Sequence, residues 1–110
     1  MEEILILSTT DTAELAQRIA RELVESGEAA CVNIVPAVRS IYRWEGRLCD
    51  EAEVLLVVKT TQSRFESVCS TIRRLHTYQL PEIIALPIIL GDVDYLQWIR
   101  NQTLVAGSTR

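Results

Sequence analysis

The sequence predicts an α+β fold in which four strands and two long helices follow the order βαββαβ, with a short third helix after them. Two segments place apolar residues three and four positions apart, which is the spacing of an amphipathic helix. Four other segments are short runs rich in Val, Ile and Leu, which is typical of strands. The length of 110 residues fits one domain, 1–110, and leaves no room for a second.

The first strand and the first helix occupy the N-terminal quarter of the chain. Residues 3–9 contain four consecutive apolar residues and then polar ones, as expected for a buried strand. Asp11 and Glu14 form the pattern of a capping box, and an apolar stripe continues from Ala13 to Val24. Gly27 then predicts the end of this helix.

A β-hairpin is predicted next. Residues 29–45 form one extended segment with a bend at Pro36, and Gly46 offers a turn. Residues 53–60 form the third strand and are close enough in sequence to pair with the second. The intervening residues 47–51 are polar, so we expect them to form the hairpin tip and to leave the thiol of Cys49 accessible.

The second helix repeats the pattern of the first. Ser63 and Glu66 form a capping-box pattern, and residues 65–75 keep the apolar period of 3.6 that a helix requires. The helix should end near His76 or Thr77, because a proline follows shortly and the apolar stripe stops.

The last third of the chain predicts a strand and a short helix. Residues 83–90 form the fourth strand, in which Pro87 favours an edge position or a bulge. Gly91 ends the strand before a helix that carries Tyr95 and Trp98, and residues 105–110 are expected to form a loose tail. The complete order of elements is the ferredoxin-like, or split βαβ, arrangement.

The strand sequences also predict that subunits associate. In an isolated domain of this kind, helices cover one sheet face and water meets the other, so the strands should alternate apolar and polar residues. The runs at residues 4–7, 54–58 and 83–86 do not alternate. We expect no element of the chain to be available for the second face, so that sheets of neighbouring subunits cover one another.

Composition and charge exclude several partners. The net charge of −4 opposes binding to phosphates, and residues 3–9 and 53–60 lack the aromatic residues of an RNA-recognition sheet, so we expect no nucleic acid. No apolar run of about 18 residues is present, and the acidic N-terminus is unlike a secretion signal. These features predict a cytoplasmic protein without a membrane partner. The odd number of cysteines, three, predicts reduced thiols.

Candidate metal ligands are few. The single histidine, His76, is near Glu82 in sequence, so the carboxylate could orient the imidazole or share a cation with it, although a capping or solvated role for His76 is the alternative. One histidine per chain cannot complete a tetrahedral site. We therefore expect copper or zinc to bind weakly, through carboxylates, neighbouring subunits or the separate thiol of Cys49. Lys59 is a candidate to hold an anionic ligand, with a solvated strand end as the alternative.

Aromatic residues concentrate outside the two main helices, where they suit a subunit interface or the wall of a ligand pocket. They are Tyr42, Trp44, Tyr78, Tyr95 and Trp98. No phosphate-binding glycine loop, nucleophile elbow, Cys-X-X-Cys or His-Glu-X-X-His motif occurs, so we predict no enzymatic turnover. A small acylphosphatase-like hydrolase is the alternative, but the loop after strand one contains an acid where such an enzyme needs an anion-binding loop.

Five segments together make the sequence resemble the CutA divalent-cation tolerance proteins over residues 6–101. They are residues 30–34 (ACVNI), 40–46 (SIYRWEG), 53–60 (EVLLVVKT), 76–84 (HTYQLPEII) and 91–99 (GDVDYLQWI). The resemblance implies a ferredoxin-like subunit in a PII-like homotrimer, and a binding or signalling role in tolerance of copper and other divalent metals.

The same resemblance implies a set of site residues. The pocket group is Lys59, His76, Tyr78, Glu82 and Tyr95, with Trp44 and Trp98 as neighbours. Some members of the family have a cysteine near the end of strand one and a pair of histidines before the Tyr-X-X-Pro-Glu segment. This chain has Ser8 and Leu75-His76 at those positions, which argues against a copper site of that type.

Overall fold

The computed structural model describes residues 2–105, so residues 106–110 of the predicted tail lie outside the described residues. The elements are β1 (Glu3–Thr10), α1 (Ala13–Glu25), β2 (Cys31–Trp44), β3 (Arg47–Thr61), a 3₁₀ turn (Gln62–Arg64), α2 (Phe65–Leu75), β4 (Ile84–Pro87) and α3 (Val93–Gln102). The strands form one antiparallel sheet in the order β2-β3-β1-β4. This topology confirms the predicted ferredoxin-like α+β fold. None of the helices within residues 2–105 is long and apolar enough to cross a membrane.

The main core lies between one sheet face and the helices α1 and α2. Alternate residues of the two central strands point to these helices: Ile4, Ile6, Val54, Leu56 and Val58. They pack against the apolar stripes of α1 and α2, which the 3.6-residue period predicted. The helix-facing side chains of β3, which are Val54, Leu56 and Val58, therefore belong to the same core as α1 and α2.

Both helices end where predicted but begin differently. Strand β1 continues through Thr10, so α1 starts one residue later than expected and Thr12, not Asp11, caps it by accepting from the amide of Leu15. The hydroxyl of Ser63 lies 3.1 Å from that of Thr61, and a 3₁₀ turn precedes α2. Ser63 is consequently not the cap of α2.

The second sheet face is only partly covered. Helix α3 lies across one end of it, where Ile99 is fully buried and Arg100 pairs with Glu3. The expectation that no element of the chain covers this face is therefore wrong at that end. Elsewhere the face remains open, and on edge strand β4 Ile84 is 51% and Leu86 44% exposed. The apolar surface predicted for association is thus present on the subunit.

The hairpin of β2 and β3 extends well beyond the rest of the sheet. Strand β1 pairs with β3 only from Val54 to Thr61, so residues 47–53 have β2 as their single neighbour in the sheet. The register shifts between Val35 and Val38, which is the bend predicted at Pro36. The turn itself consists of Glu45 and Gly46, with φ of 51° and 78°. Residues 47–51 are therefore part of the strand and not the hairpin tip.

Strand β4 is shorter than predicted. It covers four residues and ends at Pro87, whereas the sequence predicted residues 83–90. Proline has no amide proton to donate to the ladder, and after it one further backbone hydrogen bond, from Ile88 to the carbonyl of Glu3 over 3.0 Å, joins this segment to β1. The edge position that Pro87 predicted is confirmed, because β4 pairs with β1 alone.

Candidate functional site

A cavity of about 520 Å³ lies between the β2–β3 hairpin and the loop that follows α2. We call it the hairpin cavity. Its lining residues come from β1, both hairpin strands and the loop: Thr9, Ser40, Tyr42, Trp44, Glu53, Thr77, Tyr78, Gln79, Leu80 and Glu82. The volume lies within the range of about 300–1,000 Å³ that is usual for small-molecule sites. The cavity is therefore large enough for an organic ligand.

His76 fixes the loop wall of the cavity to the sheet. Its Nδ1 accepts a hydrogen bond of 3.0 Å from the backbone amide of Tyr78, so the proton of a neutral ring resides on Nε2. That Nε2 donates to the backbone carbonyl of Thr9 over 2.7 Å. The ring also lies 4.5 Å from that of Tyr78. Both nitrogens of His76 are thus used to position Tyr78.

Tyr78 joins the loop to the hairpin. Its hydroxyl donates to Oε2 of Glu53 over 2.6 Å, and Glu53 is only 7% exposed. Burial and this hydrogen bond raise the pKa of the Tyr78 phenol well above its ordinary value. The phenol therefore remains protonated and serves as a hydrogen-bond donor to a buried carboxylate.

A second tyrosine and carboxylate lie farther along the hairpin. The Tyr42 hydroxyl donates to Oε1 of Glu51 over 2.6 Å, and this hydrogen bond raises the pKa of Tyr42. Tyr42 and Trp44 lie on the same strand face as Ser40, since side chains alternate along β2. The hairpin thus presents an aromatic wall that is accompanied by acidic groups.

The predicted site residues divide into two groups. Trp44, Tyr78 and Glu82 line the cavity, with His76 directly behind the loop. The other group is Lys59, Tyr95 and Trp98: the Lys59 ammonium lies 5.8 Å from the centre of the Tyr95 ring, which stacks on Trp98 at 5.6 Å.

These two groups are far apart within one subunit. Lys59 follows Glu53 by six residues on β3, which corresponds to about 20 Å along an extended strand. One subunit therefore does not bring all the predicted ligand-binding residues together.

The described residues do not form a ready metal site. No group of three or more His, Cys, Asp or Glu side chains that could hold an ion occurs within residues 2–105. Cys49 pairs with Tyr42 in the hairpin ladder and is half-buried, with its thiol 4.0 Å from the carbonyl of Arg47. His76 could bind a metal only after losing one of its two hydrogen bonds. The residues of one subunit thus do not fit a tightly bound copper or zinc ion.

Sequence reasoning missed six members of the site: Thr9, Ser40, Glu53, Thr77, Gln79 and Leu80. The burial of Glu53 had no signal in the sequence, because glutamate is usually exposed and the neighbours on its strand face, Leu55 and Val57, are only half-buried in one subunit. Thr9 and Ser40 contribute through their place in the sheet, and no motif marks either of them.

Fold and site together define a ferredoxin-like α+β protein with an acidic, aromatic cavity. The model of the CutA1 divalent ion tolerance protein family matches residues 4–102, and this chain belongs to that family. It is 48% identical to the divalent-cation tolerance protein CutA of Thermus thermophilus, over 94% of this chain and 99% of that protein. The structure of the Thermus protein matches with a TM-score of 0.90 over 92% of this chain and 98% of that one.

Two further relatives differ in length or in described location. The chain is 41% identical to the chloroplastic CutA protein of Arabidopsis thaliana over 91% of its own length, but it spans only 55% of that protein. A CutA structure from Archaeoglobus fulgidus, described as periplasmic, is 35% identical and matches with a TM-score of 0.90 over 93% of this chain and 99% of that one. The names of these relatives refer to cations or to CutA and mention no reaction.

Proposed function

We propose that this protein is a homotrimeric cytoplasmic binding protein that acts in divalent-metal tolerance or signalling without catalytic turnover. Membership of the family supports a role in tolerance of divalent cations. The observation that carries the binding role is the hairpin cavity, which combines aromatic walls with the buried carboxylate of Glu53. The cavity adjoins the open sheet face, so its ligand would lie near a boundary between subunits.

The protruding hairpin supports assembly. A two-stranded hairpin is marginally stable in water by itself, and the outer half of this one exposes Ile41 at 66% and Leu48 at 72%. Neighbouring subunits would cover these side chains together with Ile84 and Leu86 of β4. The three-fold arrangement is the one that the family resemblance implies.

Metal binding in this proposal is weak and depends on more than one subunit. Within one chain, His76 and Glu82 belong to the segment that follows α2, and Cys49 lies apart from them in sequence on the hairpin. Carboxylates and water bind divalent ions less selectively than a closed set of imidazoles and thiolates does. Lys59, Tyr95 and Trp98 would contribute to the ligand only if a neighbouring subunit brought them to the cavity.

Native mass spectrometry of protein purified without chelator tests the assembly and the binding role in one experiment. We expect three subunits of 12.4 kDa and a retained small molecule or ion. A monodisperse monomer at micromolar concentration would contradict the proposal.

Calorimetric titration with Cu²⁺ and Zn²⁺ separates the candidate ligands. His76→Ala should weaken binding, and Cys49→Ser serves as the matched control for the separate thiol. If only Cys49→Ser abolishes binding, the half-buried thiol of Cys49 and not the cavity holds the metal. An acyl phosphate hydrolysis assay tests the acylphosphatase-like alternative, for which no turnover is expected.

A further inference from the structure

The carboxylate of Glu53 is a buried charge without a cationic partner in the described part of the chain. Glu53 is 7% exposed, and its one hydrogen-bond partner there is the neutral phenol of Tyr78. The three ion pairs within residues 2–105 join Arg39 to Asp50, Arg74 to Glu22 and Arg100 to Glu3, and none includes Glu53. Buried charges in proteins are normally paired or coordinate a cation. Within one subunit, the carboxylate of Glu53 therefore has no cationic partner among residues 2–105.

The rest of the cavity adds negative charge and supplies no positive charge. Glu82 lines the same space, and Glu51 holds the Tyr42 hydroxyl on the hairpin wall. The lining residues include no Lys, Arg or His. The phenols of Tyr42 and Tyr78 are neutral donors, since their pKa values are raised above the ordinary value. The electrostatics of the cavity consequently favour a cationic occupant.

The walls and the size of the cavity distinguish an organic cation from a bare metal ion. Three aromatic residues, Tyr42, Trp44 and Tyr78, line the cavity, and aromatic rings attract ammonium and guanidinium groups through cation–π interaction. A divalent metal instead needs several closely placed ligands, and the residues of the described chain form no such group. The volume of about 520 Å³ suits a molecule of many atoms.

We propose that the hairpin cavity binds a small organic cation, an alkylammonium or guanidinium compound, with Glu53 as its counter-ion and Trp44 as an aromatic wall. This inference rests on the proposed function in taking the cavity as the ligand site. It goes further by assigning the chemical class of the ligand. In this arrangement the Tyr78 hydroxyl, which donates to Glu53, orients the carboxylate toward the cavity.

Calorimetric titration of the assembled protein with agmatine, which carries one guanidinium and one ammonium group, tests the inference. We expect saturable binding, and weaker binding of 4-guanidinobutanoate, in which a carboxylate replaces the ammonium group. Glu53→Gln keeps the shape and the acceptor for Tyr78 but removes the charge, so affinity should fall by about tenfold or more. Glu25→Gln, an exposed change at the end of α1, is the matched control and should leave affinity unchanged.

A second measurement locates the cation. In a Trp98→Phe background, the fluorescence of Trp44 alone reports the cavity, and agmatine should change it with the affinity that calorimetry gives for the same variant. Trp44→Leu removes the aromatic wall at an exposed position, where folding does not depend on it, and should also weaken binding.

The outcomes separate this inference from the proposed function. If Cu²⁺ or Zn²⁺ binds and agmatine does not, the inference is overturned while the metal-binding role stands. If agmatine binds equally well to wild type and Glu53→Gln, the inference is also overturned. If neither the cations nor the metals bind, both the inference and the binding role fail. Agmatine binding that Glu53→Gln and Trp44→Leu weaken supports the inference whether or not a metal also binds.

Discussion

Substitution by aspartate at two adjacent residues of β3, Leu55 and Leu56, should have different structural effects. Leu56 is fully buried against α1 and α2, whereas Leu55 points to the open sheet face and is half-buried in one subunit. Leu56→Asp removes a leucine worth about 1.5–3 kcal/mol on burial and adds an unpaired carboxylate that costs several kcal/mol more. Together these losses are comparable to a total stability of about 5–15 kcal/mol, so this variant should unfold.

Leu55→Asp should instead leave a folded subunit that no longer assembles. The core against the helices is complete within one chain, and the new carboxylate would be hydrated on the open face but desolvated between subunits. Light scattering should give 12.4 kDa instead of three times that mass, with an unchanged far-ultraviolet circular dichroism spectrum. Leu55→Ala is the milder control. An assembled Leu55→Asp protein, or one that unfolds like Leu56→Asp, would refute the assignment of the open face as the interface.

Three further predictions concern the site and the thiols. Tyr78→Phe leaves the Glu53 carboxylate without its donor and should cost about 1.5–3 kcal/mol, measured as a lower urea midpoint, and an unchanged midpoint would contradict this role. The raised pKa of Tyr78 stabilises the folded state fully below about pH 10, the ordinary phenol value, and this stabilisation should fade at higher pH because the unfolded phenol loses its proton first. Urea midpoints of wild type and Tyr78→Phe should therefore converge in alkali, and midpoints that stay parallel would disprove this. Burial raises the pKa of the Cys69 thiol, so it should react with a thiol reagent only on unfolding, while half-buried Cys49 reacts in the native protein; equal rates would contradict the burial.

The spacing of apolar residues predicted the helices and strands because the core between the helices and the sheet is formed by residues of a single chain. The apolar stripes of α1 and α2 and the runs in β1 and β3 meet in a single cluster, so local pattern and tertiary burial agree. The outer part of β3 was missed because half of residues 47–52 are charged and these residues have β2 as their one partner strand. Each of the two caps was misplaced by one residue, since strand length and a 3₁₀ turn decided where each helix begins.

The site was predictable only in part. The resemblance grouped Lys59 with Tyr78, but Lys59 lies six positions after Glu53, the partner of Tyr78, along β3, so the two groups are apart within a subunit. The role of His76 as a tether follows from contacts with Thr9 and Tyr78, and no spacing in the sequence contains that information. Tertiary placement and not residue type decides which of these groups share a cavity.

The Glu45–Gly46 turn gives the hairpin a particular place in the folding of this chain. Strands β2 and β3 are neighbours in sequence and can pair progressively from the turn. By contrast, more than forty residues separate β1 from its partner residues on β3, and β4 is farther still in sequence from its partner β1. Closing a short loop loses less chain entropy than closing a long one, so local pairings form early. The longest ladder of the sheet is also its most local, so we expect the register to be set from the hairpin outward and the four-residue edge strand to pair last.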